Sequence, residues 1–289
     1  RLSVKFRNLL AITLALTGVL SSTIGANPNL APEILLLKVK NSEIVIQGQI
    51  VLAKDNPNKT IIIVVGGSGV KTRADTAAIN PLFLNMGYSV VNYDRRGNGE
   101  STGNYKRPNS KNSAEQIPLF ASDVVAIANH LKQKPRFSDS KIIVAGSSMG
   151  AWIAPLAASQ SKDIDLVISF AGAALSVGQS DHFDYLTDMG LSIEQATGLM
   201  HTLKNDTSYN PHDALSKLQQ PALWIYGELD DSNPTSADVM QLLTIATEYK
   251  RQFDIKVIKW ANHEMVNTKT NQMEMSWTQH LSEWINLHL

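Results

Sequence analysis

Short runs of apolar, β-branched residues recur along this chain, and helix-like stretches separate most of them. The run Ile61-Ile-Ile-Val-Val65 is apolar at every position, as expected for a strand that is buried on both faces of a sheet. Further strand-like runs lie at 34–53 (two strands), 88–94, 141–146, 165–172, 222–227 and 253–260. Helix-like stretches lie near 114–134, 149–160, 235–250 and 270–288. This alternation predicts an α/β fold with a mostly parallel eight-stranded sheet and covering helices.

The composition excludes several classes of protein. With 43% hydrophobic and 18% charged residues, the 289-residue chain is predicted to fold around one large core rather than to be disordered. The 26 basic and 26 acidic residues balance, so no overall field favours a nucleic-acid partner or an anionic membrane. The chain has no cysteine, which excludes disulfides, thiolate zinc sites and cysteine nucleophiles. Covalent chemistry therefore falls to serine, threonine or lysine.

The first residues have the pattern of a secretory signal. Arg1, Lys5 and Arg7 precede an apolar run from Leu9 to Leu20, and small and polar residues follow as far as Ala26. A membrane-spanning helix needs about 20 apolar residues, so a retained anchor is the less favoured alternative. We therefore predict a signal peptide over 1–26, a folded domain over 27–289, and a periplasmic or secreted protein without a stable membrane anchor.

The segment Gly146-Ser-Ser-Met-Gly150 joins a buried strand to an alanine-rich helix-like stretch. A glycine, a sharp turn through a serine and a second glycine form the G-x-S-x-G pattern, in which the small flanking residues allow a strained turn to close. In that geometry the hydroxyl of Ser148 projects at the helix N-terminus, where developing negative charge is favoured. Ser147 is then a spacer. A motif of three fixed residues often arises by chance. Its assignment as a catalytic turn therefore depends on partner residues elsewhere in the chain.

A serine hydroxyl becomes a nucleophile when a base takes its proton and a third group holds that base. After the strand 222–227 come Asp230 and Asp231, and His263 follows the last strand. Ser148, Asp230 and His263 therefore each lie just beyond a strand that ends at the same edge of the predicted sheet. Asp231 is the alternative acid, and the spacing G-x-x-D after Gly227 favours Asp230.

Several further stretches together resemble the α/β-hydrolase superfamily. Residues 94–101 (DRRGNGES) resemble its D-x-R-G-x-G-x-S loop, and 227–230 (GELD) followed by Pro234 resembles its acid-bearing turn. Residues 149–158, with Gly66-Gly-Ser-Gly69, are most similar to the branch of serine esterases and peptidase-like hydrolases related to the prolyl-oligopeptidase catalytic domain. The resemblance covers nearly everything after residue 26 and implies an α/β-hydrolase catalytic domain over 27–289. The sequence has no cluster with metal-ligand spacing, so we expect neither a metal nor a cofactor.

The resemblance also implies an oxyanion hole formed by the backbone N–H groups of Ser68 and Met149. The branch often has a histidine where Gly66 stands, so we expect the loop that follows, Val70 to Asp75, to be held differently. A tight turn that needs positive φ is the alternative explanation for the glycines. Asp94 belongs to a charged loop that we expect to shape the chain rather than to take part in catalysis.

Residues 173–213 lie where the superfamily inserts a cap. The sequence predicts a short helical insert, with a capping box at Ser192 to Gln195 after a helix end at Gly190. Two roles remain open for its apolar residues, which either line a pocket or seat the insert on the core: Phe183, Tyr185, Leu186, Met189, Leu199 and Met200. Three acidic residues of the insert offer a place for a substrate amine: Asp181, Asp184 and Asp188.

These residues predict a serine hydrolase that cleaves a small-molecule carboxylic ester through an acyl-enzyme, with Ser148, His263 and Asp230 as catalytic triad. A peptidase, amidase or acyl-thioesterase with the same triad is the first alternative. A binding protein on an inactive hydrolase scaffold is the second. We expect activity to rise with pH between roughly 6 and 7 as the histidine loses its proton, and to be insensitive to chelators.

Overall fold

A computed structural model describes residues 33–54 and 59–289, so the predicted signal peptide lies outside the described residues. Eight strands form one sheet: β1 (Ile34–Asn41), β2 (Ile44–Val51), β3 (Thr60–Val65), β4 (Ser89–Tyr93), β5 (Lys141–Ser147), β6 (Leu166–Phe170), β7 (Ala222–Gly227) and β8 (Phe253–Ile258). The strand order is β1-β2-β4-β3-β5-β6-β7-β8. The β1–β2 and β2–β4 pairs are antiparallel and the other pairs are parallel. The predicted mostly parallel eight-stranded sheet and the α/β-hydrolase fold are confirmed.

The central strands are apolar at every residue because both faces of the sheet are covered. In β3, Ile61, Ile63 and Val65 pack into the core on one face, whereas Ile62 and Val64 pack into the core on the other. This alternation follows from the opposite directions of successive side chains in a strand. The core of the domain therefore consists of two layers, one on each side of the sheet.

Nine helices lie among the described residues: α1 (Arg73–Thr76), α2 (Asn80–Asn85), α3 (Ser113–Lys132), α4 (Gly150–Gln160), α5 (Val177–Asp188), α6 (Ile193–Met200), α7 (His212–Lys217), α8 (Thr235–Tyr249) and α9 (Trp277–His288). A 3-10 turn, Ala77–Ile79, joins α1 to α2. Apolar residues of α3, α4, α7 and α8 fill one core layer, and those of α2 and α9 fill the other. None of the helices in this part of the chain has the length and apolar character that crossing a membrane requires.

The prediction of one helix over 270–288 is wrong in its first part. The helix begins only at Trp277, and two short strands, β9 (Val266–Asn267) and β10 (Gln272–Met273), pair before it. The Asn267 side chain accepts hydrogen bonds from the N–H groups of Lys269 and Thr270 and thereby forms a turn. Polar side-chain bonding of this kind competes with helix formation.

The insert 173–213 contains two helices, α5 and α6, and ends at the start of α7. The predicted capping box at Ser192 is present, since its hydroxyl accepts from the N–H of Gln195 and the Gln195 side chain accepts from the N–H of Ser192. Gly190 follows α5 with a φ of 93°, the left-handed conformation expected at a helix end.

Candidate active site

The turn between β5 and α4 holds Ser148 in a conformation that its neighbours enforce. Ser148 has a φ of 51°, in the left-handed region that costs energy for a residue with a side chain. A Cβ added at Gly146 would lie 2.1 Å from the carbonyl oxygen of Gly150, and one added at Gly150 would lie 2.2 Å from that of Val65. Both glycines are therefore required for the strand, the turn and the helix to approach so closely. Ser147 is exposed and pairs with Phe170 in the sheet.

The structure brings Ser148, His263 and Asp230 together in one chain of hydrogen bonds. His263 Nε2 lies 3.1 Å from Ser148 Oγ, and His263 Nδ1 lies 2.8 Å from Asp230 Oδ2. Asp230 is fully buried, and its other oxygen accepts from the N–H groups of Ser232 and Asn233, each at 2.8 Å. This geometry allows His263 to accept the serine proton while Asp230 fixes its ring.

Asp231, the alternative acid, is placed differently. It is exposed, and its backbone carbonyl accepts a hydrogen bond from Thr187 in α5. The structure places Asp230, and not Asp231, within hydrogen-bonding distance of His263.

The surroundings of His263 control its proton affinity. Burial alone lowers the pKa of the imidazole, but the charge of Asp230, its hydrogen bond and the charges of Glu264 and Asp184 outweigh burial and raise the pKa to about 9. Asp184 belongs to α5, so the insert contributes a charge near the site. The expectation from sequence of a transition at roughly pH 6 to 7 is therefore revised upward, because the sequence does not reveal how many carboxylates surround the ring.

The glycine loop after β3 is held by Arg95, a residue that the sequence analysis missed. The Arg95 guanidinium donates to the carbonyl oxygens of Gly66 (2.6 Å), Gly67 (2.9 Å) and Gly69 (2.9 Å). Arg95 is only 2% exposed, and it makes no ion pair with any residue in the described ranges. The loop is thus held by a buried cation.

Gly67 faces the nucleophile directly. A Cβ added there would lie 3.3 Å from Ser148 Cβ and 3.8 Å from its hydroxyl oxygen. The next residue, Ser68, also lies in the wall of the Ser148 cavity. The backbone N–H groups of Ser68 and Met149 donate to no other group within the described part of the chain. Both N–H groups are therefore free to receive an acceptor, as the predicted oxyanion hole requires.

Asn233 connects the acid turn to the strand beside Ser148, and the sequence analysis missed it too. Its side-chain amide donates to the carbonyl oxygen of Ala171, directly after β6, and lies 3.5 Å from His263 Nδ1. The last residue of β6, Phe170, accepts the N–H of Ser148 at 2.9 Å. The Asn233 side chain therefore links the turn after β7 to the end of β6, and a backbone hydrogen bond links the end of β6 to Ser148 after β5.

A cavity of about 340 Å³ lies at Ser148 and His263. Its wall is mostly apolar, with the following side chains: Val64, Ile79, Leu82, Phe170, Met265, Met273, Met275 and Trp277. These come from β3, the α1–α2 region, the end of β6, and the segment around β9 and β10. A small, mostly apolar cavity with a few polar groups is typical of a site for a small molecule.

None of the six apolar residues of the insert lines this cavity. Phe183 and Met200 are fully buried in a separate cluster, whereas Tyr185, Met189 and Leu199 are 58%, 65% and 44% exposed. The structure therefore favours the seating role for Phe183, Leu186 and Met200, which pack in that cluster, and supports neither role for the three exposed residues.

The charged loop after β4 forms a local scaffold. The Asp94 carboxylate accepts from the N–H groups of Arg73 and Glu100. Arg96 donates to both carboxylate oxygens of Asp123 in α3, each at 2.7 Å. Asp94 therefore bonds to its own loop and to α1, and it makes no hydrogen bond to Ser148, His263 or Asp230.

The sequence of this chain matches one known protein family. The sequence model of the prolyl oligopeptidase family matches residues 75–289. The chain belongs to the prolyl oligopeptidase family. As a member of this family it is a serine hydrolase of the α/β-hydrolase superfamily, in agreement with the resemblance found in the sequence. The match includes the segments that carry Ser148, Asp230 and His263. No curated protein matches the chain at a significant level.

Solved structures share the fold of this family member at low sequence identity. An esterase from Pyrococcus furiosus has a TM-score of 0.66 at 16% identity, covering 89% of this chain and 91% of the esterase. A dienelactone hydrolase from Anabaena variabilis has a TM-score of 0.60 at 17% identity, covering 90% and 100%. A proline iminopeptidase from Mycobacterium smegmatis has a TM-score of 0.63 at 14% identity, covering 88% and 98%. Ester and peptide hydrolases are therefore both among the structures of similar fold.

Proposed function

We propose that this protein hydrolyses small carboxylic esters through an acyl-enzyme on Ser148. The observation that carries the proposal is the hydrogen-bonded chain from Ser148 through His263 to the buried Asp230, at the wall of a small apolar cavity. In the first step Ser148 Oγ attacks the ester carbonyl carbon, and His263 Nε2 takes the hydroxyl proton. The negative charge on the carbonyl oxygen is then stabilised by the N–H groups of Ser68 and Met149.

The remaining steps pass two protons through His263, the first from Ser148 to the leaving alcohol and the second from water back to Ser148. His263 donates the first proton to the departing alkoxide, which leaves as the alcohol, and the acyl group remains on Ser148. Water then loses a proton to His263 and attacks the acyl carbon, and the imidazolium finally protonates Ser148 as the carboxylic acid departs. Asp230 keeps the ring oriented and stabilises its positive charge throughout.

The size and polarity of the cavity favour an ester over a peptide. The wall is mostly apolar and the cavity has a volume of about 340 Å³, at the lower end of small-molecule sites, so an acyl group of a few carbons fits better than a long peptide. The first alternative is cleavage of an amide or thioester by the same residues, and a comparison of ester with amide substrates tests the amide case. We expect 4-nitrophenyl butyrate to be hydrolysed at least tenfold more efficiently, in kcat/KM, than aminoacyl 4-nitroanilides. The reverse order would identify a peptidase.

We further propose that the enzyme works in the periplasm or outside the cell. The support is the basic start, the apolar run Leu9 to Leu20 and the small residues up to Ala26. N-terminal sequencing of the native protein is expected to begin near Asn27, and the version lacking residues 1–26 is expected to remain active. Recovery of the intact N-terminus in a membrane fraction would establish a tethered enzyme instead.

A further inference from the structure

Lys71 is an almost completely buried cation in the wall of the Ser148 cavity. The residue is 9% exposed, and it lines the same cavity as Ser148 and His263. Its Cγ and Cδ atoms pack beside Gly66, since a Cβ added at Gly66 would lie 3.3 and 3.1 Å from them. The aliphatic part of Lys71 therefore lies against Gly66, and the residue after it, Gly67, faces Ser148.

The Lys71 ammonium has no counter-ion in contact. No carboxylate of residues 33–54 or 59–289 lies within 4.0 Å of its Nζ atom. Asp75 lines the same cavity, but its Oδ2 atom accepts from the N–H and the hydroxyl of Thr72, both at 2.7 Å. Burial first, and the charge of Arg95 second, lower the pKa of Lys71, and Asp75 only partly offsets them.

Most of the Lys71 side chain is buried, while its Nζ atom keeps contact with solvent. With no carboxylate in contact, the ammonium is available to an anionic ligand that enters the cavity. A carboxylate on the ligand would form a charge-assisted hydrogen bond with the ammonium. Asp75 and Glu264 in the same wall disfavour a dianion such as a phosphate monoester, so a single negative charge matches the cavity best.

We propose that Lys71 selects substrates that carry one free carboxylate on an otherwise apolar acyl or alcohol group. The proposal rests on the ester hydrolysis at Ser148 proposed above and names the substrate class of that site. The apolar body of the substrate lies against the methionines, Phe170 and Trp277, and its carboxylate accepts a hydrogen bond from Lys71 Nζ.

Two pairs of esters that differ only in charge test this proposal. The first pair places the charge on the acyl side, as the mono-4-nitrophenyl ester of adipic acid and its neutral primary amide. The second pair places it on the alcohol side, as 4-acetoxybenzoate and 4-acetoxybenzamide. For the wild-type enzyme we expect kcat/KM to be at least tenfold higher for the carboxylate in one of the two pairs.

Variants assign this preference to Lys71. Lys71→Met keeps the length of the side chain without its charge and is expected to abolish the ratio between the charged and the neutral ester. Lys71→Arg retains the charge and is expected to restore part of the ratio. Lys134→Met removes one exposed positive charge that does not line the cavity and serves as the matched control, with the wild-type ratio expected. The absence of any carboxylate preference in the wild type, or its persistence in Lys71→Met, would overturn the proposal.

A binding measurement separates this proposal from the ester hydrolysis on which it rests. If the wild type hydrolyses none of the four esters, the proposed function fails, and the role of Lys71 is then tested by binding to Ser148→Ala. Trp277 lines the cavity, so its fluorescence reports binding of adipic acid monoamide and of the uncharged diamide. We expect the monoamide to bind at least tenfold more tightly, and to lose this advantage in Ser148→Ala/Lys71→Met. Equal Kd values in Ser148→Ala would reject the role of Lys71.

Discussion

Arg95 offers the sharpest test of how the glycine loop is held, because its neighbour Arg96 provides a matched control. Both arginines are buried, at 2% and 8% exposed, and both follow β4. Arg95 donates to three carbonyl oxygens of the loop 66–69, whereas Arg96 pairs with Asp123 in α3. Replacing each by methionine keeps most of the aliphatic stem and removes the guanidinium.

The expected losses of stability are similar for the two variants. Arg95→Met removes three hydrogen bonds from a charged donor, each contributing about 1.5–3 kcal/mol when considered alone. Because bonds to one loop are not additive, we expect the free energy of unfolding to fall by about 3–5 kcal/mol. Arg96→Met leaves the buried Asp123 carboxylate without its cation, although the Asn41 amide still donates to it, and this costs about the same. Thermal denaturation followed by circular dichroism checks this equivalence.

The kinetic consequences are expected to differ. Removing one donor from an oxyanion hole lowers kcat by about 10²–10³, and without Arg95 the loop that carries Ser68 loses its anchor. We therefore expect Arg95→Met to lower kcat for 4-nitrophenyl butyrate by one to three orders of magnitude, and Arg96→Met to change it by less than about threefold. Should Arg95→Met fail to fold, Arg95→Lys tests the same point, since lysine cannot reach three carbonyl groups at once. An unchanged kcat in a folded Arg95 variant, or equal losses in both arginine variants, would refute the reasoning.

Ser148, His263 and Gly67 can each be tested by a variant or a pH profile. Ser148→Ala is expected to abolish ester hydrolysis, whereas Ser147→Ala is expected to keep most of it. The double variant Ser148→Ala/His263→Ala is expected to be hardly slower than either single variant, because the two residues act in the same step. A double variant whose loss equals the product of the two single losses would contradict this. The value of kcat/KM is expected to rise with pH around a midpoint near 9, where His263 loses its proton, and this midpoint is expected to shift downward in Glu264→Gln. The folded-state pKa of His263 lies above its unfolded value of about 6.5. Protonated His263 therefore stabilises the fold fully below the unfolded pKa, and this stabilisation disappears as the pH rises through 9. Gly67→Ala is expected to lower kcat/KM at least tenfold because its Cβ would lie 3.3 Å from Ser148 Cβ, whereas Gly198→Ala, which meets nothing within 4 Å, leaves it unchanged.

The sheet could be predicted from the sequence because burial on both faces gives its strands a distinctive composition. β3 and β6 are buried at every residue, which requires continuous apolar runs. The meeting of Ser148, Asp230 and His263 followed from the same feature, since parallel strands bring their carboxyl ends to one edge. The acid of the triad could be identified only from the structure, because Asp230 and Asp231 are adjacent in one turn and differ in the direction of their side chains.

The wall of the cavity could not be predicted, because it comes from short and separated segments. Met273 lies in a two-residue strand in a stretch that we expected to be helical, and α1 has only four residues. Such elements are too short for periodicity to reveal. Arg95 occupies the x position of the D-x-R-G-x-G-x-S pattern, which does not specify a residue. Its role in holding the glycine loop becomes visible only where the loops after β3 and β4 meet in the structure. Its signal in the sequence was limited to the adjacent pair of arginines.

The identity of the nucleophile is the central claim, and covalent labelling tests it most directly. A fluorophosphonate reacts with a serine whose hydroxyl is activated by a neighbouring base, and peptide mass spectrometry locates the adduct. We expect one adduct on Ser148, at a rate that falls at least a hundredfold in His263→Ala and is unaffected in Ser147→Ala. An adduct on Ser147 or on any other serine, or the absence of labelling in active protein, would contradict the account.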